Sequence, residues 1–266
     1  MPFDNRPIGV FDSGIGGLTV ARLIQQQFPG EDIIYIGDTA HLPYGDKSVP
    51  ELLEYASRIM DFLTKNQVKA IVAACNTSSS VSIDLLRDRY AVPIIGVVKP
   101  GARAAVRVSK NSRIGVLATE ATAKSSAYRR EILSIQRNAR VWEIPCPALV
   151  PAVESGRTEG SEIRDIISSY LQIPLENQAD TIILGCTHYP YLRPVIEEVT
   201  GVEVTIVDPA LETVTELNKA LKGLQGYANR ESGRAKFFAT GTTDSFAKVG
   251  SRFYGSYLGM VERVDI

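Results

Sequence analysis

The chain has 266 residues, 44% of them hydrophobic, with 29 Lys and Arg against 30 Asp and Glu. That length and apolar content fill one large or two modest domains, and the net charge of -1 without a long basic run leaves no electrostatic footprint for nucleic acid. No apolar stretch approaches the roughly 20 residues of a membrane-spanning helix, and Met1-Pro2-Phe3-Asp4-Asn5-Arg6 lacks a signal-peptide core, so a cytoplasmic protein with no membrane partner is expected. An odd count of three cysteines argues against a disulfide framework in a reducing compartment. With no C-x-x-C pair and only His41 and His188 as histidines, no metal site is expected.

In chain order, Arg6 to Phe11 predicts a short buried strand ending at Asp12-Ser13, then the turn Gly14-Ile15-Gly16-Gly17 and a helix from Leu18 to Phe28. Such a turn suits an anion-binding corner or a plain tight turn, and its G-x-G-G spacing does not fit the G-x-G-x-x-G dinucleotide pattern. Ile33 to Ile36 is a second strand with a polar end, Gly37-Asp38-Thr39, followed by a structured loop through Pro43-Tyr44-Gly45. Pro50 starts a helix through Leu63. Ala70 to Ala73 predicts a strand running into Cys75, followed by one helix to about Tyr90 and a strand over Val92 to Val98. Lys99-Pro100-Gly101 reads as a hinge into a second domain.

There, strands are expected at Arg113 to Thr119 and Val141 to Ile144, and helices at Ala121 to Leu133, Leu149 to Glu154 and Ile163 to Leu171. The strand Thr181 to Gly185 runs into Cys186, with a helix at Leu192 to Val199 and a strand at Val202 to Val207 after it. A helix from Leu211 to Leu221, a strand at Lys236 to Ala239 and a helix at Ser245 to Tyr254 are expected to pack back on the first domain. Strands separated by helices throughout point to an α/β fold with mainly parallel sheets. The expected architecture is two pseudo-symmetric doubly wound domains, 1–98 plus 208–266 and 99–207, with the active site in the cleft between them.

Two stretches are alike, Ala70-Ile71-Val72-Ala73-Ala74-Cys75-Asn76-Thr77 and Thr181-Ile182-Ile183-Leu184-Gly185-Cys186-Thr187-His188: an apolar run, a small residue, a cysteine, then polar residues. Each thiol is expected at a strand end, where a helix N-terminus and nearby donors favour the thiolate. One such cysteine alone reads equally as a buried structural residue; two in the same context favour paired acid/base work on opposite faces of one carbon. Cys146, between Pro145 and Pro147, lacks that context and serves as the structural comparison. Asp12 and His188 are candidate proton partners for the thiols, against the alternatives of a helix cap and a histidine satisfying a backbone group. Glu154 could orient His188 or be a solvated helix-end carboxylate. Ser13, Tyr44, Gly45, Asn76, Thr77 and Thr187 supply neutral donors suited to a small carboxylate-bearing acid, or cap helices.

Taken together, Asp12-Ser13-Gly14-Ile15-Gly16-Gly17, Gly37-Asp38-Thr39 with Pro43-Tyr44-Gly45, Ala74-Cys75-Asn76-Thr77 and Gly185-Cys186-Thr187-His188-Tyr189-Pro190 resemble the glutamate racemases of the aspartate/glutamate racemase superfamily, in the family's order. The resemblance implies cofactor-independent interconversion of L- and D-glutamate, a small-molecule substrate, supplying D-glutamate for peptidoglycan, by a cytoplasmic homodimer. It places the acid/base roles on Cys75, acting on D-glutamate, and Cys186, acting on L-glutamate. Asp12 would assist the first thiol, and His188 the second with Glu154 in support. Substrate contacts would fall to Asp12-Ser13, Tyr44-Gly45, Asn76-Thr77 and Thr187-His188. One departure is Lys99, where the family pattern Gly-Val-Val-Glu-Pro-Gly has an acid, which bears on closure or regulation at the hinge. An aspartate or hydantoin racemase, a thiol redox protein or cysteine hydrolase, and a non-enzymatic amino-acid binder are the competing classes.

Overall fold

The structure, a computed structural model, describes residues 3–224 and 226–266. The chain divides into two compact units, one comprising the residues up to Val97 together with Ala210–Ile266 and the other Val98–Pro209. The first unit opens with β1 (Ile8–Asp12), α1 (Leu18–Gln27), β2 (Ile33–Gly37), α2 (Val49–Lys65), β3 (Ala70–Ala73), α3 (Asn76–Val81), α4 (Ile83–Leu86) and β4 (Ile94–Gly96). The second contains α5 (Val98–Val108), β5 (Arg113–Ala118), α6 (Glu120–Ser125), α7 (Ala127–Ile135), β6 (Arg140–Pro145), α8 (Leu149–Glu154), α9 (Ser161–Glu176), β7 (Thr181–Gly185), α10 (Arg193–Thr200) and β8 (Thr205–Val207). The chain then runs through α11 (Pro209–Gly223), β9 (Ala235–Ala239), α12 (Thr243–Tyr254) and β10 (Val261–Arg263).

Every strand pair in both sheets is parallel. The first sheet has the order β10-β9-β2-β1-β3-β4 and the second β6-β5-β7-β8. β1, β2, β3 and β7 are buried at every position, as their unbroken apolar runs require of strands covered on both faces. The two sheets share one winding: the chain steps outward from the first strand, returns, and continues on its other side. Such a reversal leaves a crevice outside the strands' carboxyl ends, where open α/β sheets hold their ligands. In the first unit it lies between β1, which ends at Asp12 and continues into Ser13, and β3, whose chain continues into Cys75. In the second it lies between β5 and β7, whose chain continues into Thr119 and Cys186.

Several expected elements are altered by local chemistry. Lys99-Pro100-Gly101 lies just past the division between the two units, as expected of the passage into a second domain, and forms part of the first turn of α5, where proline forfeits no helical hydrogen bond. The helix expected from Asn76 to Tyr90 breaks at Ser82, whose hydroxyl bonds Leu52 O at 3.1 Å, giving α3, α4 and a 3-10 turn at Arg87–Arg89. Ser126 at φ 54° divides α6 from α7. Conversely, α9 runs past Leu171 through Pro174, whose ring lies where a Gly115 side chain would otherwise sit. The strands expected over Val92 to Val98 and Val202 to Val207 shorten to β4 and β8, and the edge strand β10 escapes a sequence reading because it is only three residues long.

A buried ion pair closes the other end of the first sheet. Lys69 Nζ meets Glu31 Oε2 at 2.6 Å and donates to Asp4 O at 2.7 Å, while Glu31 Oε1 accepts the Ala228 N–H at 2.9 Å. In the second unit Ser126 leaves α7 without a side-chain cap, and the Glu143 carboxylate on β6 accepts the N–H groups of Tyr128 and Arg129 instead. Burial pushes Glu143 up to about 7, against the lowering effect of those donors and of Arg130 and Arg129. A carboxyl raised in the folded state binds its proton more tightly than in the unfolded chain. Its contribution is therefore complete below about pH 4.5 and is lost as the pH rises through about 7. Glu143→Gln is expected to gain on the native chain by roughly 1 kcal/mol between pH 5 and 7.5 in urea unfolding, a figure discounted for solvent contact. A difference independent of pH would contradict this.

Candidate active site

In the first unit the chain leaves β1 at Asp12, whose side chain is sealed from solvent and accepts the Gly14 N–H through Oδ2 at 3.0 Å. Gly17 lies hard against it. A Cβ there would fall 2.6 Å from Asp12 Cβ and 2.9 Å from Ala74 Cβ, so only glycine lets α1 begin this close to the ends of β1 and β3. The Tyr35 hydroxyl on β2 donates to Gly14 O at 2.8 Å and pins the turn from the other side.

Beyond β3, Cys75 is the N-cap of α3, its Sγ accepting the Ser78 N–H at 3.5 Å where an oxygen side chain is usual. Cys75, Asn76, Thr77 and Ser78 are all buried. At Cys75 burial opposes the bias toward thiolate that the helix start and its donors supply. Burial pushes the Cys75 thiol up to about 11, the Asp12 carboxylate adds to the rise, and donors from Ser78 and Ser13 offset only part of it. Tyr44 and Gly45 lie in a 3-10 turn, Tyr44–Asp46, reached through a cis Leu42–Pro43 bond. Tyr44 is buried and its hydroxyl donates to Asp38 Oδ2. Asp38 also contacts His41 Nδ1 at 2.7 Å and accepts from Thr240 Oγ1 at 2.7 Å, and the His41 ring stacks on Tyr55 with centroids 4.0 Å apart.

In the second unit Gly185 ends β7, and a Cβ there would meet Leu117 O at 2.6 Å, which explains the small residue ahead of the thiol. Cys186 Sγ is 3.7 Å from His188 Nδ1, and His188 Nε2 is 3.3 Å from Glu154 Oε1 at the end of α8. Cys186, Thr187 and His188 are buried while Glu154 keeps 37% of its side chain exposed, so the three ionisable groups form a line from a buried sulfur toward solvent. Cys146 differs from its expected place, since it too follows a strand, β6. Its thiol is committed to Ile144 O at 3.2 Å and is pushed up to about 12, chiefly by burial with the Cys186 charge adding to the rise.

The first unit thus gathers Asp12, Ser13, Cys75, Asn76 and Thr77 at the ends of β1 and β3, with Tyr44 and Gly45 on the loop after β2. The second gathers Cys186, Thr187, His188 and Glu154. Sequence reasoning passed over Ser78, which an N-cap pattern with a donor three residues on could have marked, and Asp38, which sits at a strand end like Asp12. Thr240 carries no local signal at all. Among the described residues no group of three or more His, Cys, Asp or Glu is gathered as a metal would need, and no helix is long and apolar enough to cross a membrane.

The sequence profile of the Asp/Glu/hydantoin racemases matches residues 18–217. A curated glutamate racemase of Desulforudis audaxviator is 47% identical over 255 residues, 93% of each chain. The chain belongs to this family, among its glutamate racemases. Members of the family are isomerases. The crystal structure of a glutamate racemase isoform from Bacillus anthracis superposes with a TM-score of 0.93 at 38% identity, covering 98% of both chains. That of the Francisella tularensis glutamate racemase, solved in complex with D-glutamate, gives 0.92 at 34% identity over 99% of this chain and 98% of that one.

Gly17→Ala tests the packing of the first unit's cluster. The forced methyl has only Asp12 and Ala74 to displace, so the urea midpoint is expected to fall by the equivalent of about 1–3 kcal/mol, together with loss of turnover. Unchanged stability and turnover would show that the close approach is not needed.

Proposed function

We propose that the chain interconverts L- and D-glutamate without an organic cofactor, using Cys75 and Cys186 as an acid/base pair on opposite faces of the α-carbon, and that the D-glutamate serves peptidoglycan synthesis. The substrate follows from the named relatives. The observation that carries the mechanism is the matched pair of thiols, each just beyond a strand bordering the winding reversal of its own sheet, and each with its own titratable neighbour. A hydrolase or a thiol redox protein needs one reactive cysteine, and a binder needs none.

In the D-to-L direction the Cys75 thiolate takes the α-proton. The electron pair stays on the carbon and its carboxylate, and the Cys186 thiol returns a proton to the other face. The enzyme is left with Cys75 protonated and Cys186 ionised. The L-to-D direction is the same path reversed. Asp12 beside Cys75, and His188 backed by Glu154 beside Cys186, are the groups through which the starting protonation is restored. Because burial holds the resting Cys75 in its protonated form, the positive α-ammonium of the arriving amino acid is what shifts the balance toward thiolate. The buried Ser13, Tyr44, Asn76, Thr77 and Thr187, with Gly45, would hold the substrate's carboxylates and exclude water, which an α-carbanion without an electron sink requires. The proposal requires the two sheets to present their carboxyl ends to one substrate within a cleft that closes over it.

Incubation of the purified chain with either glutamate enantiomer in deuterium oxide is expected to place deuterium at Cα and drive the optical rotation to zero. Cys75→Ala and Cys186→Ala should each lower racemisation by roughly 10²–10⁴-fold. Binding without exchange would leave an amino-acid binder, and full activity in either single variant would remove the two-thiol mechanism. Exchange of aspartate in preference to glutamate would move the substrate assignment.

A further inference from the structure

We infer that Ser78 is a positioning residue for Cys75, its buried hydroxyl held as a second donor to the sulfur at the moment the thiolate forms. The inference rests on the role proposed above for Cys75. Ser78 occupies the third residue of α3, and its backbone N–H already points at Sγ, 3.5 Å away. Its hydroxyl is unlike its neighbours'. Ser79 Oγ donates to Ala73 O at 2.9 Å, Ser80 Oγ to Thr77 O at 2.9 Å and Ser82 Oγ to Leu52 O at 3.1 Å, each meeting a backbone carbonyl. Ser78 Oγ is completely buried and has no hydrogen-bond partner. A buried hydroxyl left unmatched by any protein group calls for a reason, and a charge that exists only during turnover supplies one.

The surroundings agree. The titratable groups facing Cys75 are Asp12 after β1, Tyr35 on β2 and Tyr44 in the turn beyond it, so nothing cationic among them steadies the anion. The Ser78 N–H, and the nearness of the Ser78 and Ser13 hydroxyls, are what pull toward the ionised sulfur. The other thiol has no counterpart. Three residues after Cys186 stands Tyr189, whose hydroxyl donates to Cys146 O at 3.2 Å, and Cys186 has His188 instead. The first half of the site thus relies on neutral donors where the second uses an imidazole.

The test is alkylation of Cys75 by iodoacetamide in the full-length chain, followed between pH 7 and 10.5 by mass spectrometry of the Cys75 peptide, with urea unfolding alongside. Ser78→Ala is expected to slow Cys75 alkylation about tenfold at each pH below the midpoint, equivalent to about one unit in the sulfur's ionisation. Its stability should not fall, because the deleted hydroxyl has no partner in the resting state. Ser78→Thr, which keeps the hydroxyl, should recover most of the rate, and the acid limb of kcat/KM for racemisation should move upward in Ser78→Ala alone. Unchanged alkylation in Ser78→Ala would overturn the inference. So would a loss of rate matched by a loss of stability, or one that threonine does not restore, since either marks a packing role. Should alkylation respond as expected while no variant and no native chain exchanges the α-proton of glutamate, the positioning of Cys75 stands and the proposed reaction fails.

Discussion

A carboxylate and a thiol share one dry corner of this protein, and most of the first unit is arranged around that pairing. Asp12 and Cys75 are both removed from water at the ends of adjacent strands. Burial, and then the Asp12 carboxylate, raise the cost of charge on the Cys75 sulfur. The corner is kept polar enough by the Gly14 N–H on Asp12, the Ser78 N–H on the sulfur, and the nearby hydroxyls of Ser78 and Ser13. Gly17 and Tyr35 keep it small. The Cys75 thiolate is thus costly to form at rest, which suits a group that must pass a proton and take it back.

The second unit solves the same problem differently. Its thiol is backed by an imidazole and, beyond it, by a carboxylate that reaches solvent, giving a line of proton-bearing groups instead of a closed pocket. The sheet beneath is wound in the same sense as the first, so matched strand positions carry unmatched chemistry. Topology fixes where a reactive side chain emerges, and the loop residues after the strand decide how it ionises.

The alternation of apolar runs with helical segments made the α/β class and parallel sheets legible, since strands buried on both faces must read as unbroken apolar runs. Cys75, Cys186 and His188 were legible for a related reason: a strand end before a small residue marks the one place where a side chain is both fixed and accessible to chemistry. What was not legible depends on contacts distant in the chain. Proline within α9 makes sense only once Gly115 is seen to leave room for it. Burial suppresses the ionisation of Cys75, and Asp12, 63 positions earlier in the sequence, adds to that suppression. Within the serine run after Cys75, only the folded contacts set one hydroxyl apart from the rest.

The bond between Asp38 and Thr240 bears on how the protein is made. The second unit is one uninterrupted stretch, Val98–Pro209, whereas the first is completed only by the residues after it. A ribosome releasing the chain from its N-terminus exposes everything the second unit needs before it has translated β9, β10 or Thr240. During that interval β2 is an open edge and Asp38, the anchor of Tyr44, lacks one of its donors. The half of the molecule that begins first is therefore completed after the second, and the loop bearing Tyr44 acquires its full set of hydrogen bonds only once Thr240 has emerged.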